Sequence, residues 1–281
     1  MTATNPEPAA DDGDLYATDL KSLFDLETIS LSQEVSVFSG RVRARSEHWP
    51  VLYGGQVAAQ SLIAAGHTMP DDRRPHSLHG YFLRTGRTDQ RIEFRVDHDR
   101  DGRNYSARHV IAVQEGRVIF SMLTSFVHGD QPPVLDQVRY RPERLRDPSD
   151  CPLHSVDPHL DVRAITECRV VDEHQLRPDM LWVRVPEQLD DTPLMNAASL
   201  TYLSDLGSGF GQTEDPKVGV GGPSVDHAIW FHQPLDGQQW CVLDMWPVSA
   251  VSGRGIYHGS LRDQAGRLGA TIAQENLLRN D

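Results

Sequence analysis

The chain has 281 residues, enough for one large domain or two of ordinary size, and its 38% hydrophobic and 24% charged residues suit a globular protein. A formal net charge of −13 argues against nonspecific binding to nucleic acid or to an anionic membrane, and no run reaches the ~20 apolar residues of a membrane span. Only Lys21 and Lys217 are lysines, so an anion site here would be built from guanidinium groups.

Residues 1–14, MTATNPEPAADDGD, combine Pro, Ala and Asp without the basic or apolar run of a signal peptide, and read as a disordered acidic tail. Leu15–Leu26 is expected as a short amphipathic helix and Glu34–Ala44 as a strand. A helix then starts at the paired Gly54-Gly55 and ends at Gly66, read as its C′ glycine. It is apolar almost all round (Val57, Ala58, Ala59, Leu62, Ile63, Ala64, Ala65), which predicts a helix enclosed by sheet at short distance. Four strands follow: His76–Leu83, Gln90–Asp99, Asn104–Gln114 and Arg117–Val127, the last two joined by the hairpin signal Glu115-Gly116.

Six prolines (132, 133, 142, 148, 152, 158) mark residues 129–160 as an inter-domain connection. The order then returns. Strands are expected at Asp161–Val171 and Met180–Val185, and Thr192-Pro193 caps a helix over Leu194–Leu206. Strands at Ser224–Phe231, Gln239–Val248, Gly255–Arg262 and Arg267–Glu275 complete the set. The stretch His79-Gly80-Tyr81-Phe82-Leu83 aligns with His227-Ala228-Ile229-Trp230-Phe231 at an offset of 148 residues, and Gly116-Arg117-Val118 with Gly266-Arg267-Leu268 at 150. Repeated order plus two matches at nearly one offset predict a tandem duplication.

Several polar residues carry candidate chemistry. Asp205 falls in the expected last turn of its helix, where a carboxylate opposes the helix dipole by ~0.3–1 kcal/mol. It continues the stripe Met195, Ala198, Tyr202, so it reads either as a buried base of raised pKa or as a polar residue in a fraying turn. Gln274 shares a strand face with Leu268, Ala270 and Ile272, and is either a buried amide needing partners or a strand-end residue in solvent. Ser224, before a strand, offers a hydroxyl that commonly bonds local backbone. The Gly54-Gly55 start exposes backbone N–H groups to a carbonyl oxygen or phosphate, or merely permits a tight turn. Asp226 and His227 point to opposite faces of a strand and cannot pair directly; they read as structural, with the alternative that one of them lines the site.

No Gly-x-Ser-x-Gly elbow surrounds Ser208 or Ser224, which argues against a covalent serine mechanism. Thirteen histidines without an HExxH-like spacing predict no metal, and Gly219-Val-Gly221-Gly222 is too short for a dinucleotide fingerprint, so no cofactor is expected. Three cysteines at no metal-like spacing, and a C-terminal LLRND unlike a peroxisomal address, give a cytoplasmic location as the expectation. Ten arginines between Arg73 and Arg117 are the available basic patch.

The stretches Tyr53-Gly-Gly-Gln56-Val-Ala-Ala-Gln60, His76-Ser-Leu-His-Gly-Tyr-Phe-Leu83, Arg100-Asp-Gly-Arg-Asn-Tyr-Ser-Ala-Arg108, Val225-Asp-His-Ala-Ile-Trp-Phe-His232 and Gln274-Glu275 closely resemble the acyl-CoA thioesterase II family, across roughly residues 20 to 279. The resemblance implies an α+β double hotdog: two tandem repeats, each a long helix wrapped by a curved antiparallel sheet, over residues 15–128 and 161–281. It implies hydrolysis of fatty acyl-CoA to free acid and CoA by a water held on Asp205, Ser224 and Gln274, in a homo-oligomer. Ser224 stands where many relatives carry Thr, keeping the hydroxyl but losing the methyl that stiffens χ1. A non-catalytic acyl-CoA binding protein and a hotdog hydratase of enoyl thioesters, which wants a His–Asp pair, are the alternatives.

Overall fold

Antiparallel strands and two longer, largely buried helices organise the computed structural model, which describes residues 15–43, 51–129, 145, 147–153, 160–164, 180–207 and 220–279. The expected tail, most of the connection, the later part of the Asp161–Val171 strand and the glycine-rich stretch 208–219 lie outside the described residues. The first half runs β1 (Tyr16–Ala17), α1 (Leu20–Phe24), β2 (Glu27–Ser30), β3 (Val35–Gly40), β4 (Val42–Arg43), α2 (Gly54–Gly66), β5 (Arg73–Phe82), β6 (Ile92–Asp101), β7 (Tyr105–Gln114) and β8 (Arg117–His128). The second runs β9 (Asp161–Ala164), β10 (Met180–Arg184), α3 (Pro193–Leu203), β11 (Val220–Ser224), β12 (Asp226–Phe231), β13 (Cys241–Val251), β14 (Arg254–Asp263) and β15 (Leu268–Arg279).

Three local expectations need correction. The Leu15–Leu26 helix shrinks to α1, because Asp19 and Ser22 form a capping box there while Tyr16–Ala17 pairs in parallel with Val42–Arg43. Gly66 is the last helical residue of α2 rather than a left-handed C′, and His67 caps the helix at φ −64°. Glycine is needed there for a different reason: a Cβ on Gly66 would lie 2.4 Å from Leu194 Cδ1, at the start of α3. The third concerns α3, which stops at Leu203 with Ser204 as cap, leaving Asp205 beyond the helix. The Glu115-Gly116 turn behaves as expected, with φ of +49° and +70°, the two positive values of a type I′ hairpin.

Apart from the parallel β1–β4 pair, the described strands form one antiparallel sheet in the order β2-β3-β6-β7-β8-β5-β12-β15-β14-β13-β10-β9, with β11 pairing β15. Read from either end, the order is the same sequence of roles, and β5 and β12 are the central rungs. Helix α2 is buried from Gly55 to Ala65 against β5–β8, and full burial of Leu62 or Ile63 stabilises by about 1.5–3 kcal/mol each. Its buried amides bind the preceding chain and each other: Gln60 Nε2 donates to Leu23 O (2.8 Å) and Arg41 O (2.9 Å), and its Oε1 accepts from Gln56 Nε2 (3.2 Å), while Gln56 Oε1 is left without a partner. The end of α2 meets the start of α3 at Gly66–Leu194, and its start meets the end of α3 at Gly55–Tyr202, so the two helices run antiparallel.

The 148-residue match of His79 to His227 is out by one. The inward, buried residues of β5 are Leu78 and Gly80, and those of β12 are His227 and Ile229. The rung His79↔Leu123 therefore corresponds to Ala228↔Ala273, which fixes the offset at 149 for β5/β12 and 150 for β8/β15. A slip of one residue exchanges the faces of a strand. Correct register also exposes a reciprocal change of size. A Cβ on Gly80 would lie 2.3 Å from Phe120 Cζ, whereas the corresponding second-half positions hold Ile229 and Ala270. Gly80→Ile should therefore cost about 1–3 kcal/mol by overpacking. Adding Phe120→Ala, which recreates the Ile–Ala combination, should restore most of it in equilibrium urea unfolding; two additive penalties would refute the exchange.

Candidate active site

Three separate elements deliver Asp205, Ser224 and Gln274 to one place. Gln274 points inward from β15 by alternation and is 3% exposed. Ser224 ends β11, in register with Asn276 of β15. Asp205 follows the Ser204 cap, and the turn after it is pinned by the Tyr257 hydroxyl, which donates to Gly207 O at 2.9 Å. Gln274 Nε2 donates to Asp205 Oδ1 (2.8 Å) and to Ser224 Oγ (2.5 Å), and Ser224 Oγ donates to Asp205 Oδ1 at 3.4 Å. The three side chains close a ring of hydrogen bonds.

The other carboxylate oxygen leaves the ring. Asp205 Oδ2 accepts from Gly55 N–H at 2.8 Å, at the start of α2. Sequence reasoning set this carboxylate against the dipole of its own helix; instead it crosses to the positive end of the other one. The bare glycines follow from that approach. A Cβ on Gly54 would lie 2.6 Å from Asp205 Oδ2 and 3.0 Å from Phe82 Cζ, and one on Gly55 would lie 2.7 Å from Tyr202 O. Gly55 N–H is thus used by Asp205 rather than left open for a ligand, while Tyr53 Oη donates to Tyr202 O (2.7 Å) and braces the same junction.

Electrostatics favour a base. Burial raises the Asp205 pKa above the usual carboxylate value, opposed by the neighbouring His227 ring and by hydrogen bonds from Gln274, Gly55 and Ser224. Burial also raises Tyr257 well above its ordinary value, helped by the negative charges of Asp205 and Asp226, so the phenol stays a donor. His227 was read as structural, yet it is fully inward and its Nδ1 meets Gln274 Oε1. Its pKa is lowered by burial, against the pull of Asp205, the Gln274 bond and Asp226. The signal was present: His227 shares the inward face with Ile229 in the alternation of β12. Asp226 turns the other way and accepts from Glu275 N–H at 2.7 Å, the structural role expected of it.

The corresponding place in the first half is filled differently. The rung Arg108↔Thr124 matches Tyr257↔Gln274, and Leu78 takes the place of His227. Arg108, 2% exposed, donates to Thr68 Oγ1 (2.9 Å) and to both Asp101 oxygens (3.0 Å each). Most of the arginine patch is likewise engaged: Arg87, Arg91 and Arg95 pair with Asp89, Glu27 and Glu93, and Arg73, Arg74 and Arg84 hold backbone carbonyls. Among the described residues no group of three or more His, Cys, Asp or Glu is placed to hold a metal ion.

Comparison with known proteins gives this geometry a context. Residues 45–127 match the acyl-CoA thioesterase N-terminal domain and residues 142–278 the acyl-CoA thioesterase C-terminal domain. Acyl-coenzyme A thioesterase 8 of Mus musculus is 28% identical over 303 aligned residues, spanning 96% of this chain and 93% of that one. An acyl-CoA thioesterase II of Mycobacterium marinum superposes with a TM-score of 0.75 at 30% identity, over 92% of this chain and 96% of that one. A protein of Alicyclobacillus acidocaldarius described as having a hot dog fold gives 0.70 at 20% identity, over 92% and 97%, a likeness of fold. With both domain families matched in order along an antiparallel sheet and two helices, the chain belongs to the acyl-CoA thioesterase family of thioester hydrolases and has the hotdog fold.

Proposed function

We propose that this chain hydrolyses fatty acyl-CoA to a free fatty acid and CoA by direct attack of a water held by Asp205, Ser224 and Gln274. The observation that carries the reading is the closed ring of those three side chains around a carboxylate of raised pKa. The Ser224–Asp205 contact of 3.4 Å is the longest in the ring, and it is the side to which we assign the water. Such a water donates to Asp205 and accepts from the Ser224 hydroxyl, leaving one lone pair for the thioester carbonyl carbon. Its proton passes to Asp205 as the C–O bond forms. Collapse of the tetrahedral oxyanion breaks the C–S bond, and the Asp205 proton goes to the departing CoA sulfur. Gly54, at the bare start of α2, is the backbone donor we assign to the oxyanion.

The reading includes a double hotdog with domains at 15–128 and 161–281, supported by the strand order that repeats from either end of the sheet. It also includes a homo-oligomer, supported by Tyr81, Leu123 and Trp230, which stand exposed on the outward face of β5, β8 and β12. A reducing cytoplasm is supported by the free, buried thiol of Cys241. The hydratase alternative loses ground, because both ring nitrogens of His227 are engaged, by Gln274 and Ser204.

Free-thiol release from a panel of acyl-CoAs tests the site. Asp205→Ala and Gln274→Ala should each lower kcat by about 10²–10⁴-fold; unchanged rates in both would remove the assignment, and tight binding with no release at any chain length would favour a binding protein. The pH dependence has a definite sign. The base must be ionised, so kcat/KM should fall on the acid side through an apparent pKa above the ordinary carboxylate value, the direction set by burial of Asp205. Stability runs the opposite way. A carboxyl whose folded pKa exceeds its unfolded value holds its proton more tightly when folded, so this contribution is fully present below the unfolded pKa and is lost as pH rises through the folded one. Asp205→Asn should therefore raise Tm at pH 7 by a few degrees, on the order of 2–4 °C, and do little at a pH below the ordinary carboxylate range, as followed by differential scanning calorimetry.

A further inference from the structure

The ring depends on which end of one amide faces the carboxylate. Gln274 has a donor end and an acceptor end of nearly the same shape. With Nε2 toward Asp205 and Ser224 it supplies both with a proton; reversed, its carbonyl oxygen would oppose the carboxylate. His227, 1% exposed, stands behind it, with Nδ1 against Gln274 Oε1 and Nε2 at 2.8 Å from Ser204 Oγ. An amide oxygen only accepts, so Nδ1 must carry a proton. Ser204 Oγ lies 2.8 Å from Thr201 O as well, and its single proton can serve either neighbour.

We propose that His227 is a positioning residue of the hydrolase: its Nδ1–H donates to Gln274 Oε1 and thereby holds both Gln274 N–H bonds on Asp205 and Ser224. The Nδ1–H tautomer is the neutral ring, with Nε2 accepting the Ser204 hydroxyl proton. Burial supports it by lowering the imidazole pKa. The proposal rests on the reading of Asp205, Ser224 and Gln274 as the site. The two halves make a natural control, because Leu78 fills the rung that corresponds to His227 and leucine is therefore a side chain this sheet position accepts.

The test measures kcat and KM for thiol release in His227→Leu, His227→Asn and His227→Gln, with Asp205→Ala, Gln274→Ala and the His227→Leu/Gln274→Ala double variant beside them. His227→Leu should lower kcat by about 10²-fold with KM little changed, the size expected for a misplaced catalytic group. Asn places an N–H where Nδ1 stood and should recover much of the rate; Gln places it near Nε2 and should not. Because His227 acts through Gln274, His227→Leu should add nothing in the Gln274→Ala background. Nitrogen chemical shifts of labelled histidine in the wild type should show Nδ1 protonated and Nε2 bare. Wild-type kcat in His227→Leu, with Asp205→Ala and Gln274→Ala inactive, overturns the role of His227 alone. Full activity in Asp205→Ala and Gln274→Ala removes the site reading and this proposal with it. Should His227→Leu not fold, equal rates for the Asn and Gln variants overturn the proposal, as does a ring protonated on Nε2 alone.

Discussion

A carboxylate that leaves the end of one helix for the start of another sets the geometry of this molecule. Asp205 Oδ2 takes the Gly55 N–H, so the last residues of α3 and the first of α2 must lie within a hydrogen bond of each other. That contact explains why α2 begins with two glycines: side-chain carbon at either position would occupy the space of the carboxylate or of Tyr202 O. It also explains why α3 ends at Leu203, since a longer helix would carry Asp205 away from its donor. Helix-terminus attraction for a carboxylate is worth about 0.3–1 kcal/mol, up to ~2 when partly buried. Burial works against it and wins, leaving the pKa raised. Asp205 is thus held in place by α2 and yet kept ready to take a proton.

Much of the frame was legible because it is local. The bounds of α2, the cap of α3 and the Glu115-Gly116 hairpin rest on residues within a few positions of each other, where backbone chemistry decides. The inward direction of Gln274 was legible for the same reason, through the period of a strand. The junction was not. Asp205 and Gly55 are separated by 150 residues, and no spacing rule links a turn in one half to a helix start in the other. Reasoning from its own helix alone gave Asp205 the wrong electrostatic environment. Asp205, Ser224 and Gln274 were singled out by family resemblance, while their residue types and positions left an ordinary structural role open for each.

The register error has an equally physical origin. The letters of HGYFL and HAIWF match best at 148, but a β-strand is read by face, and a face is preserved only when buried residues align with buried residues. Alignment by letters put the exposed His79 on the buried His227. Alignment by burial puts Leu78 there, and then the exchange of Gly80–Phe120 for Ile229–Ala270 becomes visible. The surroundings of His227 were hidden for a related reason: its neighbour Asp226 cannot pair with it, and the residue it meets, Gln274, lies on the adjacent strand β15.

With the halves in register, their divergence can be read as chemistry. The first half carries Leu78, Arg108 and Thr124 at the positions where the second carries His227, Tyr257 and Gln274. Thr124 turns its hydroxyl to Ser77 O at 2.9 Å, and the Arg108 guanidinium is spread over Thr68, Asp101 and the carbonyls of Arg100 and Ala107. A permanently charged guanidinium cannot take a proton, and one already donating on every side has little left for a ligand. Thr68, just after α2, accepts from Arg108, and the start of α3 is capped by its own Thr192. A buried, fully engaged arginine strengthens the frame where a raised-pKa carboxylate would weaken it. The second half keeps the carboxylate of raised pKa, and the first supplies the helix start whose N–H holds it.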